Sequence, residues 1–153
     1  LSEKSNYTEA VFFLSQIEIA DDRIAEAIKA TQSAVNIAPN DPTLFFQLGL
    51  LHYNQKQYVA AVSALERSVG LSPQYSNAKY FLGLSYHALN RLPDAIKQFE
   101  EVAVLNPDND EVKLILSNLQ EGKDPLQGAL PPLDTNPEDR ETLPIEETIP
   151  AEA

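Results

Sequence analysis

A chain of 153 residues is long enough for one modest domain, and its net charge of −12 with 11 scattered basic residues argues against a nucleic-acid partner, which needs clustered Lys and Arg. The absence of cysteine excludes a disulfide framework and thiolate chemistry. No apolar run approaches the ~18 residues of a membrane span, and no signal peptide is visible.

Residues 1–5 form a short polar lead. Val11, Leu14 and Ile17, with Phe12 and Ile19 on an adjacent face, predict a helix over about 6–20. Asp21 and Asp22 suit the N-cap and acidic first turn of a second helix, which reaches about residue 38. Its apolar positions are Ile24, Ala27, Ile28, Ala34, Val35 and Ile37. Pro39 and Pro42 bracket the next turn. Two further helix pairs are predicted, 43–54 with 57–69 and 76–89 with 92–105. Gly70 suits a C-cap. Pro93 stands in a first turn, where proline is tolerated.

The pairs align at a period of 34 residues, over 8–41, 42–75 and 76–109, and such a period marks a helical repeat array. Leu14, Leu48 and Leu82 direct one leucine per repeat at the partner helix. Ser15, Gly49 and Gly83 follow, with Ala27, Ala61 and Ala95 as their expected small counterparts on the second helix. Small residues on both sides let two backbones approach closely. Tyr58 and Leu92, with Ile24, are expected in the elbow between helices, and Leu65 and Phe99 in the layer between repeats. Pro39, Pro73 and Pro107 stop each second helix, since proline lacks the donor and clashes with the preceding turn.

Leu-Gly, an aromatic ring after two residues (His52, Tyr86), then an aromatic, Ala, a bulky apolar residue and Pro: this order over 34 residues resembles the tetratricopeptide repeat. The second and third repeats match closely. The first keeps the spacing but departs at Ser15, Glu18 and Thr31. The resemblance covers 8–109 and implies an all-α, right-handed superhelix of three helix-turn-helix repeats. Val112, Leu114, Ile115, Leu116 and Leu119 predict one more helix over about 108–120. It is similar to the capping helix with which the family commonly ends, because an uncapped array exposes apolar surface. The repeat domain is thus expected over 1–121.

From residue 122 the composition changes. Six of the 11 prolines, and eight acidic residues against two basic ones, fall in 122–153, where no helical or strand period survives. An extended, acidic, Pro-rich tail is expected there. Its apolar islands are Leu126, Leu130 to Leu133, Leu143, Ile145 and Ile149; of these Leu130, Leu133, Leu143, Ile145 and Ile149 are candidate docking residues.

No residues combine as nucleophile, base and orienter, so an enzyme is not expected. His52 shares the repeat position of Tyr86, a packed position, and neither it nor His87 has a partner at metal-ligand spacing. Asp108–Asn109–Asp110 lacks the glycine and distal glutamate of a calcium loop and suits a helix N-cap. Neither metal nor cofactor is expected.

The resemblance implies a concave side lined by the first helix of each repeat, where family members bind ligands. Three ladders fall there: Phe12, Phe46 and Tyr80; Gln16, Leu50 and Leu84; Ile19, Tyr53 and His87, with Asn54 beside Tyr53. These side chains either pack against their own repeat neighbours or offer a partner-binding groove, since contiguous apolar patches and aromatic anchors mark interaction sites. Family members that grip a C-terminal carboxylate use Lys, Arg and Asn in this groove. Phe12 and Phe46 stand where such a clamp wants charge, so it is not expected here.

The expected function is a non-catalytic protein–protein interaction scaffold that binds an extended apolar or Pro-containing segment of a protein or peptide. The alternative is a self-assembling structural subunit, in which the tail of one copy docks on the next. A tail covering its own groove is the intramolecular version. The repeats with an acidic, Pro-rich end also resemble soluble regions of some bacterial membrane-anchored proteins, which would place the chain outside the cytoplasm. With Leu1 first and no methionine, a processed product or excised piece is expected.

Overall fold

The computed structural model describes residues 23–128 and 143–147. Six helices follow in order: α1 (Ile24–Ile37), α2 (Pro42–Asn54), α3 (Tyr58–Leu71), α4 (Ser76–Ala88), α5 (Leu92–Leu105) and α6 (Asp110–Gln120). The helix predicted over 6–20 and the Asp21–Asp22 cap lie outside the described residues. Each helix packs on its successor, most extensively α2 on α3 and α4 on α5, and α6 closes the array against α5. The result is an all-α array of helix-turn-helix pairs with a capping helix.

The punctuation of the helices is chemical. Asp41 accepts the Thr43 N–H at 2.9 Å to start α2, with Pro42 in its first turn. Asn109 accepts the Val112 N–H at 3.1 Å to start α6, so this helix begins at Asp110 and not at 108. Inside each pair the turn is a left-handed stop. Lys56 and Asn90 hold φ of 59° and 61°. Gln57 N–H then reaches back to the His52 carbonyl at 2.9 Å, and Arg91 N–H to that of Tyr86 at 2.8 Å.

Two expectations are corrected. Gly70 does not close its helix: α3 runs to Leu71 and ends where Ser72 N–H meets the Ser68 carbonyl, one residue before Pro73. The proline supplies the stop, so no left-handed glycine is required. Second, Ala61 and Ala95 are not what Gly49 and Gly83 face most closely. A Cβ on Gly49 would lie 2.5 Å from Leu65 Cγ, and one on Gly83 would lie 2.5 Å from Phe99 Cε2. Small thus meets large within one repeat, and the bulky side chain fills the space that the glycine leaves. Leu65, Phe99, Ala61 and Ala95 are all fully buried.

These contacts divide the interior into two clusters. Val35, Leu44, Leu48 and Ala64 form the smaller one between α1, α2 and α3. The larger runs from Phe46 and Leu50 through Leu82 and Phe99 to Val112, Ile115 and Leu119 of α6.

Gly83→Ala tests the glycine contact. Alanine gains about 1 kcal/mol of helix propensity, but its Cβ would meet a buried ring already packed against Tyr80 at a centroid distance of 5.3 Å. Overpacking costs about 1–3 kcal/mol. We expect a net loss of up to about 2 kcal/mol in urea unfolding; a raised midpoint would show that the layer relaxes freely.

Candidate functional site

The ladder residues within the described chain lie on α2 and α4, the first helices of their pairs. Phe46, Leu50 and Tyr80 are 0% exposed and Leu84 is 7% exposed. Tyr53, Asn54 and His87 are half-buried, and Phe12, Gln16 and Ile19 lie outside the described residues. An aromatic network ties the face together: Phe46 to Tyr75 at 5.1 Å, Tyr53 to Phe81 at 5.3 Å, and Tyr80 to Phe81 at 5.3 Å between ring centroids. Gln47 Nε2 and both polar atoms of the Asn54 side chain are buried along α2 with no hydrogen-bond partner among the described residues.

Part of the tail is seated on this face. Ile145 is 3% exposed and belongs to the same cluster as Phe46, Leu50, Tyr80, Phe81 and Leu84. Leu143 packs against that cluster, as does Leu126, while Glu146 is exposed. Leu130, Leu133 and Ile149 lie outside the described residues. Leu143 precedes Pro144, which biases its backbone towards extended geometry.

The Asn77 side chain and the first N–H groups of α4 hold the segment. The Asn77 amide donates from Nδ2 to the Ile145 carbonyl at 2.8 Å, and its Oδ1 accepts the Ile145 N–H at 3.1 Å. Nδ2 also donates to the Glu147 carboxylate. The backbone N–H groups of Ser76 and Asn77 donate to the same carboxylate at 3.0 and 2.7 Å.

The position of this contact has a cause in the repeat. Asp41, Tyr75 and Asn109 share one repeat position, immediately before a helix. Asp41 and Asn109 cap α2 and α6 with their own side chains; Tyr75 makes no side-chain cap and packs its ring on Phe46. The first N–H groups of α4 are therefore left for another acceptor, and Glu147 supplies it. Ser76, Asn77 and Phe81 are the site residues that hydrophobic spacing alone does not single out. The missing cap at Tyr75 is the sequence signal that marks them.

Neighbouring polar groups are committed to holding the helices together. Lys79 on α4 is paired with Glu101 on α5 at 2.6 Å. The Tyr80 hydroxyl donates to Glu111 of α6, and that of Tyr86 to Glu66 of α3. Burial first, and then Glu66, hold the Tyr86 phenol well above its ordinary range. Among the described residues, no group of three or more His, Asp or Glu is placed to hold a metal, and no helix is long and apolar enough to cross a membrane.

The energetics make docking weak. Burying Ile145 contributes about 1.5–3 kcal/mol, and each hydrogen bond about 0.5–1.5 kcal/mol net. Ordering the backbone costs about 1–2 kcal/mol per residue. The terms nearly cancel over Leu143–Glu147. Attachment to the same chain favours docking, since a tethered segment avoids the translational cost that a separate peptide pays on binding.

Two helix pairs in a 34-residue register, α2 with α3 and α4 with α5, each closed by a glycine against a bulky partner, define a tetratricopeptide-repeat domain. The family model described as anaphase-promoting complex, cyclosome, subunit 3 matches residues 3–102, and the chain belongs to that family. The first TPR of Spaghetti (RPAP3), solved with the HSP90 peptide SRMEEVD, is similar at 23% identity and a TM-score of 0.65, over 77% of this chain and 94% of that one. The first TPR domain of human RPAP3 is similar at 23% identity and 0.64, over 74% and 90%. MamA is similar at 23% identity and 0.65, over 80% and 71%. No curated protein sequence matches the chain.

The carboxylate gives docking a pH dependence. Burial is the largest influence on Glu147 and raises its pKa above the ordinary 4.5, while the N–H donors of Asn77 and Ser76 pull it back without cancelling the rise. The seated form therefore holds its proton more tightly than the free form. The resulting stabilisation is full below the ordinary value and is lost as pH rises through the raised one. A free peptide of residues 141–149, titrated into the full chain carrying Ile145→Asp, is expected to bind more tightly at pH 5.5 than at pH 8. The opposite trend would mean that the donors outweigh burial.

Proposed function

We propose that the face built by α2 and α4 is where this scaffold takes an extended segment of a protein partner. The observation that carries the reading is the seating of Leu143–Glu147. Asn77 grips both backbone groups of Ile145, a contact that selects extended chain without regard to the side chain. In this reading Phe46, Leu50, Tyr80 and Leu84 form the apolar floor, Tyr53, Asn54 and His87 the margin, and Phe12, Gln16 and Ile19 continue the ladders in the first repeat. The RPAP3 domain lends support to the mode, since its HSP90 peptide is also a short acidic segment. Docking of the tail within one chain occupies the contacts through which copies would link, which favours the scaffold over a self-assembling subunit.

The test supplies the segment from outside. The full chain carrying Ile145→Asp, which vacates the face, is titrated calorimetrically with an acetylated and amidated peptide of residues 141–149. One peptide per chain is expected to bind. Adding Asn77→Ala removes the paired backbone hydrogen bonds, worth about 1–3 kcal/mol together, along with the Nδ2 bond to Glu147, and weakens binding roughly 5-fold or more, up to about 150-fold from the paired bonds alone. No binding, or binding indifferent to Asn77→Ala, refutes the reading.

A further inference from the structure

We propose that the face recognises a particular kind of partner segment, an extended stretch with a branched aliphatic residue followed two positions later by a glutamate, and that Leu143–Glu147 is a built-in competitor which such a segment displaces. The proposal rests on the reading of this face as a peptide site and adds its selection rule and its gate.

The rule follows from the placement of two receptors. The aliphatic receptor is the buried cluster that takes Ile145. The carboxylate receptor is the start of α4, where Ser76 and Asn77 present N–H groups that Tyr75 does not cap. These N–H groups need acceptors at a helix start, and a glutamate side chain supplies both oxygens to them, while burial offsets the preference of the helix dipole for the charged form. Asn77 belongs to both receptors: its side-chain amide fixes the backbone of the aliphatic residue, and its own N–H meets the carboxylate. The separation between anchor and acid is thereby set at two residues. The intervening Glu146 is exposed, so that position carries no selection. Lys79 is engaged by Glu101, so the acid is read by N–H donors and not by that lysine. Tyr75 cannot take over the cap, because its ring is packed on Phe46.

The gate follows from the weakness of the internal ligand. Leu143–Glu147 brings one fully buried apolar side chain and one carboxylate. Such a segment holds the face through its tether. An effective concentration of order 1 mM suppresses an external ligand by about the ratio of that concentration to the segment's own dissociation constant, which is tenfold for a constant of about 0.1 mM. A partner with the same rule and further contacts overcomes that factor.

The experiment compares the wild-type full chain with the full chain carrying Ile145→Asp, both checked for helix content by circular dichroism. The probe is the fluorescent peptide of residues 141–149, acetylated and amidated so that side chains supply the only carboxylates. Expected is binding about tenfold tighter to Ile145→Asp than to wild type. Probes with aspartate in place of the isoleucine, or alanine in place of the second glutamate, are expected to bind at least tenfold more weakly than the parent. A probe with alanine in place of the first glutamate is expected to bind unchanged. A full chain with Glu147→Lys gives an independent opening of the gate and is expected to behave like Ile145→Asp. Equal binding to wild type and both variants overturns the competitor. Equal binding of all probes to Ile145→Asp, still dependent on Asn77, overturns the selection rule while leaving the peptide face intact. Failure of every probe to bind Ile145→Asp in an Asn77-dependent way removes the face itself, and this proposal with it.

Discussion

The approach of a first helix to its partner at glycine sets the geometry on which the structure depends. Gly49 and Gly83 leave no room for a Cβ because Leu65 and Phe99 already occupy that space. Close packing of this kind admits one arrangement of the pair, since a misfit of a methyl group is felt throughout a dense core. Phe99 in turn packs on Tyr80, and Tyr80 on Phe81, so the contact that closes a repeat also shapes the aromatic face beside it. Stability and binding surface share one set of side chains.

That sharing explains why the start of α4 is special. A helix needs acceptors for its first N–H groups. Asp41 and Asn109 provide them at the equivalent positions, but at the third the chain spends its capping residue on apolar packing: Tyr75 lies against Phe46. The resulting deficit is local, polar and immediately beside an apolar cluster. A segment carrying an aliphatic side chain and a carboxylate satisfies both, and the chain's own tail is such a segment.

The array was legible because its determinants are periodic. The 34-residue register places the described helices to within about two residues, and Pro73 and Pro107 end α3 and α5 as their chemistry requires. What was not legible depended on pairing. Spacing alone set Ala61 and Ala95 opposite the glycines, whereas interdigitation puts Leu65 and Phe99 there. Spacing also left open whether Phe46, Leu50 and Tyr80 are covered; they are, with Ile145 in their cluster. The tail contact joins residues 68 apart through a segment whose composition has no period, so it leaves no trace in periodicity. Its trace is the comparison of Asp41, Tyr75 and Asn109, a question about caps and not about apolar faces.

A scaffold whose groove holds part of its own tail behaves differently from an open one: its affinity for partners reflects competition as well as contact. All of this turns on whether Leu143–Glu147 is seated on α4 in solution. Amide hydrogen exchange resolved by residue in the full chain measures it directly. The account predicts that the Ile145, Ser76 and Asn77 amides, which donate to Asn77 Oδ1 and to Glu147, exchange more slowly than unstructured chain, and that Asn77→Ala releases Ile145. Exchange of Ile145 at the unstructured rate in the wild-type chain would contradict it.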